Sequence, residues 1–289
     1  VDHLREMEIG DGGSLEIVEM DLLESESVLK AVSGCRQVIH TAAVVVLNSK
    51  KPQEKIVDPS VIGTQNVLDA IDSSGTVECL VHTSSTAAIR PQRWKDGQVL
   101  TTETWAEDAN IEDNPYGLAK YSAEMLVRQW HSEKNERIRM VTINPCVVLG
   151  PPLTKRHLRG SPSFVMMLLK REVPFVIPMH ISIVDVRDVA KMHIAALEND
   201  ESIGKRIILS ENTYWVKELS AMLNKHGHKA PTFTPPVFLV KFLANFDKTI
   251  RPVKPLLGVD VNFNTGLAKS ILKYDPVPID KTIKDTCDF

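Results

Sequence analysis

The sequence predicts an α/β fold built on a doubly wound parallel sheet, and three observations support this prediction. Short apolar runs alternate with longer amphipathic stretches, which is the pattern of βαβ units. Three of the runs are followed directly by unusual stretches: small residues at 41–43, hydroxyl-bearing residues at 83–86, and a run with proline and glycine at 144–152. The 289 residues are 43% hydrophobic, enough for one large core or two fused ones. Because ligands on parallel sheets bind at the carboxyl ends of strands, we expect these three stretches to share one site.

Composition and charge exclude several classes of function. With a net charge of −3, the chain has no basic excess that would point to nucleic-acid binding. The four cysteines, Cys35, Cys79, Cys146 and Cys287, lie far apart without a C-x-x-C pair, so we expect free thiols, no metal site and a reducing, cytoplasmic setting. No apolar run is long enough to span a membrane. The chain starts at Val1 rather than at a methionine, which indicates a fragment or a processed form.

Hydrophobic periodicity in the first half of the chain indicates strands joined by helices. A serine with acidic neighbours opens the helix predicted at 25–32, and Gly75 ends the long helix that begins near residue 52. Polar residues and two tryptophans form a loop at 90–110. Strands are predicted at 15–20, 37–40, 77–82 and 139–143, and helices at 25–32, 52–73 and 116–133. This order predicts parallel pairing with right-handed crossovers.

The second half of the chain is less regular. The prolines and the glycine of the run at 144–152 are expected to end regular structure there. Extended runs are predicted at 183–186 and 206–209, and helices at 164–170, 187–199, 215–225, 234–246, 265–272 and 279–289. We therefore divide the chain into residues 1–150 and 151–289, with segments near 183–199 and 206–209 returning to the first unit.

Tyr116 and Lys120 stand four residues apart on a predicted helix, so their side chains lie on one face. A free phenol titrates near ~10, and a neighbouring ammonium favours the phenolate and lowers that pKa. Tyr116 is then able to exchange a proton with a substrate oxygen. Ser85, just after the strand predicted at 77–82, is expected to hold the same oxygen. The spacing also arises by chance, so it needs the support of other motifs.

Such support comes from six stretches that follow one another along the chain. They are Val-Ile-His-Thr-Ala-Ala at 38–43, the run at 57–68, Thr-Ser-Ser at 83–85, Pro-Tyr-Gly-Leu-Ala-Lys at 115–120, the run at 144–152 and Val-Asp-Val-Arg-Asp-Val-Ala at 184–190. In these stretches the chain resembles an extended short-chain dehydrogenase/reductase of the dihydroflavonol reductase-like branch. The resemblance implies a Rossmann-like sheet, with a truncated dinucleotide-binding domain at 1–150 and a smaller mixed substrate-binding region at 151–289.

The resemblance also implies a set of functional residues. Ser85, Tyr116 and Lys120 would be the catalytic trio of a reductase that uses NADP, or NAD, to reduce a small aldehyde, ketone or dihydroflavonol-like compound. Tyr116 would donate the proton, Ser85 would orient and polarise the oxygen, and Lys120 would also bind the nicotinamide ribose. Implied cofactor contacts are Asp21, Leu22, Thr41, Ala42, Ala43, Thr83, Pro145, Val147 and Val148, together with Tyr116 and Lys120. Met166 is a further candidate for the substrate pocket.

Departures from the family pattern change what we expect of this chain. The glycine-rich turn of the family, G-x-x-G-x-x-G, has no counterpart, and the chain is predicted to begin after the family's second strand. The residues that choose between NAD and NADP are then absent, and the strand at 15–20 lacks both neighbours that link it to the sheet. The cinnamoyl-CoA reductase signature around the tyrosine is not matched at 114–120, so that specific activity is not expected.

Three functions therefore stay open. The leading one is carbonyl reduction by a monomer or homodimer acting on a small molecule. A hydroxysteroid dehydrogenase or a sugar epimerase would use the same trio. An inactive truncated or binding-only member is favoured by the missing glycine turn and opposed by the intact trio.

Two further features receive structural interpretations. His40 and His82 flank or end predicted strands, and we interpret them as packed core histidines rather than metal ligands. The apolar stretch 237–246 is interpreted as a buried helix, although a pocket lid or a membrane-surface contact would have the same composition.

Overall fold

The computed structural model describes residues 2–7, 9–10, 12–45, 49–134, 137–246 and 251–288. The strands are β1 Gln37–His40, β2 Cys79–Thr83, β3 Val99–Leu100, β4 Arg139–Pro145, β5 Val147–Leu149, β6 His180–Asp185, β7 Arg206–Leu209, β8 Asn212–Trp215 and β9 Asn262–Phe263. The helices are α1 Asp2–Arg5, α2 Ser25–Val32, α3 Asp58–Ser74, α4 Pro115–Lys134, α5 Ser163–Leu169, α6 Val186–Glu198, α7 Val216–Lys225, α8 Val237–Leu243, α9 Gly266–Ile271 and α10 Ile279–Cys287.

A four-stranded parallel sheet in the order β1-β2-β4-β7 forms the centre of the fold. Its register aligns the carboxyl ends of the strands, with His40 opposite His82, Thr83 opposite Ile143 and Pro145 opposite Leu209. The predicted α/β class and parallel sheet are confirmed. The strands predicted at 37–40, 77–82, 139–143 and 206–209 all belong to this sheet, within one or two residues at their ends.

Helices cover both faces of this sheet, because alternate residues of each strand point to opposite sides. Leu80 and Met140 pack with α2, α3 and α4. Val81 and Val141 pack on the other side, with α6 and α9. A π-helical turn, Gln53–Val57, leads directly into α3, which ends at Gly75 in the left-handed conformation with φ +64°. The arrangement is the doubly wound one that the strand and helix order predicted.

A second sheet begins where regular structure was expected to stop. The expectation that 144–152 would be irregular is wrong for Val147–Leu149, which form β5 and pair in parallel with β6. Strand β8 adds to β6 in the antiparallel sense. This sheet packs on a separate apolar cluster with residues from α5, α7, α8 and α10. Thus β7 joins the first sheet and β6 the second, while the division into two domains stays a prediction.

The strand predicted at 15–20 is absent from the structure. Residues 13–20 form no regular element, and Leu15 and Val18 expose 48% and 52% of their surface. Within the described residues, β1 pairs with β2 alone, so its other edge offers no neighbour through which 15–20 could join the sheet. An apolar, alternating pattern does not form a strand without a partner. The absence of pairing at 15–20 agrees with the sequence expectation that this segment lacks both neighbours that would link it to the sheet.

The interpretation of 237–246 as a buried helix also needs correction. Helix α8 buries Val240, and Ala244 beyond its end is buried too. Phe238, Phe242 and Phe246 follow at four-residue spacing and expose 59–75% of their surface. Sequence hydrophobicity could not show which face of so short a helix meets the core. Across the helices that the structure describes, none combines the length and apolar character needed to cross a bilayer.

Candidate active site

The site is built around the first turns of α4, which carry Tyr116 and Lys120 on one face. Asn114 precedes the helix, and its side-chain oxygen accepts a hydrogen bond from the Gly117 amide at 2.9 Å. A Cβ at position 117 would collide with the Asn114 side chain, so glycine allows this close cap. The local sequence thus starts the helix where Tyr116 points toward the carboxyl ends of the strands.

Ser85 follows β2 in an extended conformation and caps the short 3-10 helix Thr86–Ala88. Its hydroxyl accepts a hydrogen bond from the Ala87 amide at 3.1 Å. Its carbonyl accepts a hydrogen bond from the side-chain nitrogen of Asn144, at the end of the neighbouring strand β4, at 3.2 Å. Ser85 is therefore fixed from two sides at the sheet edge where the sequence located it.

Lys120 is buried behind Tyr116 and donates a hydrogen bond from Nζ to the Thr83 carbonyl at 3.1 Å. Loss of hydration lowers the pKa of the ammonium to about 8, against the opposing effect of Glu124, whose carboxylate raises it. The ammonium thus bridges α4 and β2, and the trio predicted from the sequence meets at one edge of the sheet.

The pKa of Tyr116 departs from the sequence expectation. Burial raises the pKa of the phenol, and a hydrogen bond with the Ser85 side chain lowers it only in part. Lys120 does not lower the pKa of Tyr116 in this structure, and its ammonium is itself desolvated and hydrogen-bonded to the Thr83 carbonyl. In this structure the phenol is therefore protonated at neutral pH and is poised as a proton donor.

Two histidines lie beside Lys120. His40 and His82 are buried, with ring centroids 5.5 Å apart. Burial lowers the pKa of His40 to about 4, and burial holds the pKa of His82 well below its ordinary range. Both are packed in the core, as interpreted from the sequence, and both are neutral at pH 7. The described residues contain no group of histidine, cysteine and carboxylate side chains suited to a metal ion.

A polar network behind the trio was missed by the sequence reasoning. Glu124, one turn beyond Lys120 on the same face of α4, is fully buried. Its carboxylate accepts hydrogen bonds from the Ser84 hydroxyl at 2.6 Å and from Asn144 Nδ2 at 2.8 Å. Its other oxygen accepts a hydrogen bond from Arg206 Nε at 2.5 Å. The spacing of Tyr116, Lys120 and Glu124 at i, i+4 and i+8 was the available signal.

A cavity of about 440 Å³ lies beside the open edge of β1. Four of the residues expected to contact a cofactor line it, namely Asp21, Leu22, Ala42 and Ala43. Helix α3 holds this wall in place, because Asn66 Nδ2 donates a hydrogen bond to the Leu22 carbonyl at 2.7 Å. The remaining lining residues are Glu19, Met20, Leu23, Val44 and Pro59. Residues 21–22 and 42–43, far apart in sequence, thus form one surface.

The other predicted contact residues are distributed around the sheet edge. Thr41 is exposed directly after β1. The Thr83 hydroxyl shares a hydrogen bond of 2.7 Å with His193 Nε2 and is therefore engaged within the protein. Pro145 ends β4 in a buried position, Val147 and Val148 lie half-buried on β5, and Met166 lies half-buried on α5. None of these lines the cavity beside β1.

Residues 2–226 match the 3-beta hydroxysteroid dehydrogenase/isomerase family. Among curated relatives, the chain is 32% identical over 219 residues to cinnamoyl-CoA reductase CAD2 of Medicago truncatula, covering 74% of this chain and 66% of the relative. It is 32% identical over 233 residues to tetraketide alpha-pyrone reductase 1 of Arabidopsis thaliana, covering 79% and 70%. The chain thus spans about two thirds of the length of these relatives.

Solved structures of similar fold cover more of the chain. The NADPH complex of Gre2 from Candida albicans superposes with a TM-score of 0.74 at 25% identity, covering 92% of this chain and 80% of that one. Yeast methylglyoxal/isovaleraldehyde reductase Gre2, also with NADPH, gives a TM-score of 0.74 at 23% identity over the same shares.

Proposed function

Since this chain belongs to the 3-beta hydroxysteroid dehydrogenase/isomerase family, within the extended short-chain dehydrogenases/reductases, we propose that it is a carbonyl reductase dependent on NADP(H). Its substrate class would be small aldehydes, ketones or dihydroflavonol-like compounds, reduced to alcohols. The observation that carries the proposal is the convergence of Ser85, Tyr116 and Lys120 at the carboxyl end of β2. NAD(H) is the alternative cofactor.

The residues beside β1 fit one end of a dinucleotide. Ala42 and Ala43 present small side chains, which leave room for a ligand close to the backbone. Leu22 and Met20 provide apolar walls suited to a flat ring, while Asp21 adds a carboxylate. A ligand reaching from there along the strand ends would meet His40 and then the Lys120 ammonium, which is close enough to affect the pKa of His40.

The proposed mechanism divides the work among the trio. A bound reduced nicotinamide supplies the hydride. Ser85 would donate a hydrogen bond to the carbonyl oxygen and hold it in line with Tyr116. Tyr116 would donate its phenolic proton to the oxygen as negative charge develops there. The raised pKa of Tyr116 keeps that proton available at neutral pH. Lys120, which does not lower the pKa of Tyr116 in this structure, would bind the nicotinamide ribose, as the family resemblance implies.

The relatives favour a reductase activity over the other activities found in the family. Those named above are reductases by name, and the two solved structures are NADPH complexes. The substrate is proposed only as a class, because pockets in this fold are formed by variable loops. Met166, on α5, is our candidate for a residue that contacts the substrate.

A hydroxysteroid dehydrogenase is the second candidate, favoured by the family that residues 2–226 match. It would use the same trio in the oxidising direction, with Tyr116, in its ionised form, accepting the proton of the alcohol. Assays with hydroxysteroids and NADP+ or NAD+ separate this activity from carbonyl reduction. Only a hydroxysteroid dehydrogenase would turn over with a steroid alcohol as the sole substrate.

The test begins with cofactor binding to the purified chain. We expect NADPH, followed by nicotinamide fluorescence, to bind at micromolar concentration and to raise the melting temperature as ligand linkage requires. Oxidation of NADPH with a panel of aldehydes and ketones would follow, with Tyr116→Phe as the control. A folded chain that binds neither NADPH nor NADH would contradict the proposal and favour a binding-only member.

A further inference from the structure

We propose that Glu124 is a positioning residue for the carbonyl reduction proposed above. Its buried carboxylate fixes the Ser84–Ser85 turn through hydrogen bonds and keeps a negative charge one helical turn from the Lys120 ammonium. The inference rests on the proposed function, but its contacts are properties of the chain itself. Glu124 touches neither substrate nor cofactor, and its effect passes through Ser85 and Lys120.

The first step of the argument is the connection to Ser85. One carboxylate oxygen of Glu124 accepts hydrogen bonds from the Ser84 hydroxyl and from Asn144 Nδ2. Asn144 Nδ2 also donates to the Ser85 carbonyl at 3.2 Å. The Ser84 bond holds the Ser84–Ser85 turn from its amino-terminal side, and Asn144 holds it from the neighbouring strand β4. The position of the Ser85 hydroxyl therefore depends on this carboxylate.

The second step is the rigidity of the carboxylate. Arg206 Nε donates to the second Glu124 oxygen at 2.5 Å, and both residues are at most 4% exposed. Arg206 Nη1 donates to the carbonyls of Thr102 and Thr104 at 2.7 and 2.8 Å. Its guanidinium lies 3.4 Å from the centre of the Trp105 ring. Glu124 thus connects α4, the ends of β2 and β4, and the start of β7.

The third step is the charge balance at Lys120. Burial disfavours the ammonium, and the Thr83 carbonyl is the acceptor within hydrogen-bond distance of Nζ in the described residues. The ionisable groups around it are Tyr116 and Glu124 on α4, His40 on β1 and His82 on β2, and the histidines are neutral at pH 7. Glu124 therefore supplies the negative charge that favours protonated Lys120.

The central experiment compares Glu124→Gln with the unaltered chain, without cofactor or substrate. Selective 13C and 15N labelling of lysine, with Lys120→Arg for assignment, gives the pKa of Lys120 by NMR. The expected result is a lower pKa of Lys120 in Glu124→Gln. An unchanged pKa in a folded variant would overturn the electrostatic part of the proposal. Since no turnover is measured, the result stands apart from the fate of the reductase assignment.

The matched control is Asp185→Asn on β6. Asp185 is also buried and accepts hydrogen bonds from Arg187 Nε, Arg187 Nη2 and the Thr282 hydroxyl at 2.7–2.8 Å. Its loss removes a comparable buried carboxylate that does not affect Lys120. We expect lower stability in Asp185→Asn with no change in the pKa of Lys120. A purely structural role for Glu124 would instead make the two variants alike in both measurements.

Ser84→Ala tests whether the hydrogen bond to Glu124 positions the Ser84–Ser85 turn. This variant also replaces Glu124→Gln if that variant does not fold. This variant keeps both charges and removes a single hydroxyl. Hydrogen exchange of the Ala87 amide, which is bonded to the Ser85 hydroxyl, should accelerate by on the order of 10-fold as the turn loosens. In the active enzyme, kcat should fall by up to about 10²-fold. Unchanged Ala87 exchange would overturn the positioning role.

Discussion

Two ends of the same sheet edge differ in how completely the protein forms them. At the catalytic end, Ser85, Lys120 and Glu124 are held by hydrogen bonds from three strands and a long helix. At the β1 end, residues 13–20 form no regular element and expose apolar side chains, although the cavity residues 21–22 and 42–43 are assembled. We call these the catalytic framework and the open edge.

The difference indicates that the geometry of the candidate site depends on the strands that carry its residues and not on every strand of the sheet. Strands β2 and β4 each have two paired neighbours, so their carboxyl ends are fixed. Strand β1 pairs on one side only within the described residues, and residues 13–20 do not pair with it. The catalytic framework is therefore expected to be rigid and the open edge adaptable.

The largest expected effect separates chemistry from binding. Tyr116→Phe removes the proposed proton donor, so kcat for carbonyl reduction should fall by about 10²–10⁴-fold. NADPH binding, which we propose for the open edge, should stay within about a factor of three. Steady-state kinetics and fluorescence titration measure the two quantities. Equal activity in the variant would mean that the catalytic framework does not carry the reaction.

The same substitution in the two regions should have unequal effects on stability. Leu80→Ala creates a cavity at a fully packed strand position, and the free energy of unfolding should fall by ~2–5 kcal/mol. Leu15→Ala, at the open edge, should change it by at most ~0.5 kcal/mol. Urea unfolding of both variants provides the comparison. A large loss of unfolding free energy in Leu15→Ala would show that Leu15 is packed in the core and not exposed at the open edge.

Lys120 makes stability depend on pH within the catalytic framework. Its pKa is about 8 in the folded chain and 10.5 ordinarily, so the unfolded chain binds more protons between these values. Stability should therefore rise with pH through this window, by ~3 kcal/mol relative to Lys120→Met. Unfolding of both chains from pH 7 to pH 10.5 tests this. If the free energy of unfolding changed with pH in the same way in both chains, Lys120 would not be desolvated in the folded state.

The smallest expected effect concerns the open edge alone. Ala43→Leu adds bulk to the lining of the cavity, and NADPH affinity should fall by about 10-fold, equivalent to ~1.4 kcal/mol. Ala221→Leu, at an exposed position on α7, is the matched control and should leave affinity unchanged. Isothermal titration of both variants measures the difference. Unchanged NADPH affinity in Ala43→Leu would mean that the cofactor binds outside this cavity.

The sequence by itself determined the main architecture and located Ser85, Tyr116 and Lys120 at the carboxyl end of β2. Strand and helix periods, together with the Thr-Ser-Ser and Tyr-x-x-x-Lys motifs, are local patterns, and local patterns survive in the fold when each strand has a partner. They located β1, β2, β4 and β7 and the helix that carries Tyr116 and Lys120. Residues 21–22 and 42–43 were predicted through resemblance, and the structure brings them together in one cavity.

Tertiary structure alone decided the rest, because those features depend on neighbours far along the chain. Whether 15–20 forms a strand depends on a partner for pairing, and whether α8 is buried depends on the face that meets the second apolar cluster. The direction of the Tyr116 pKa followed from the loss of water around the phenol, which no spacing reveals. The role of Glu124 depends on Arg206, 82 residues away in the sequence, whose Nε donates a hydrogen bond to the buried carboxylate.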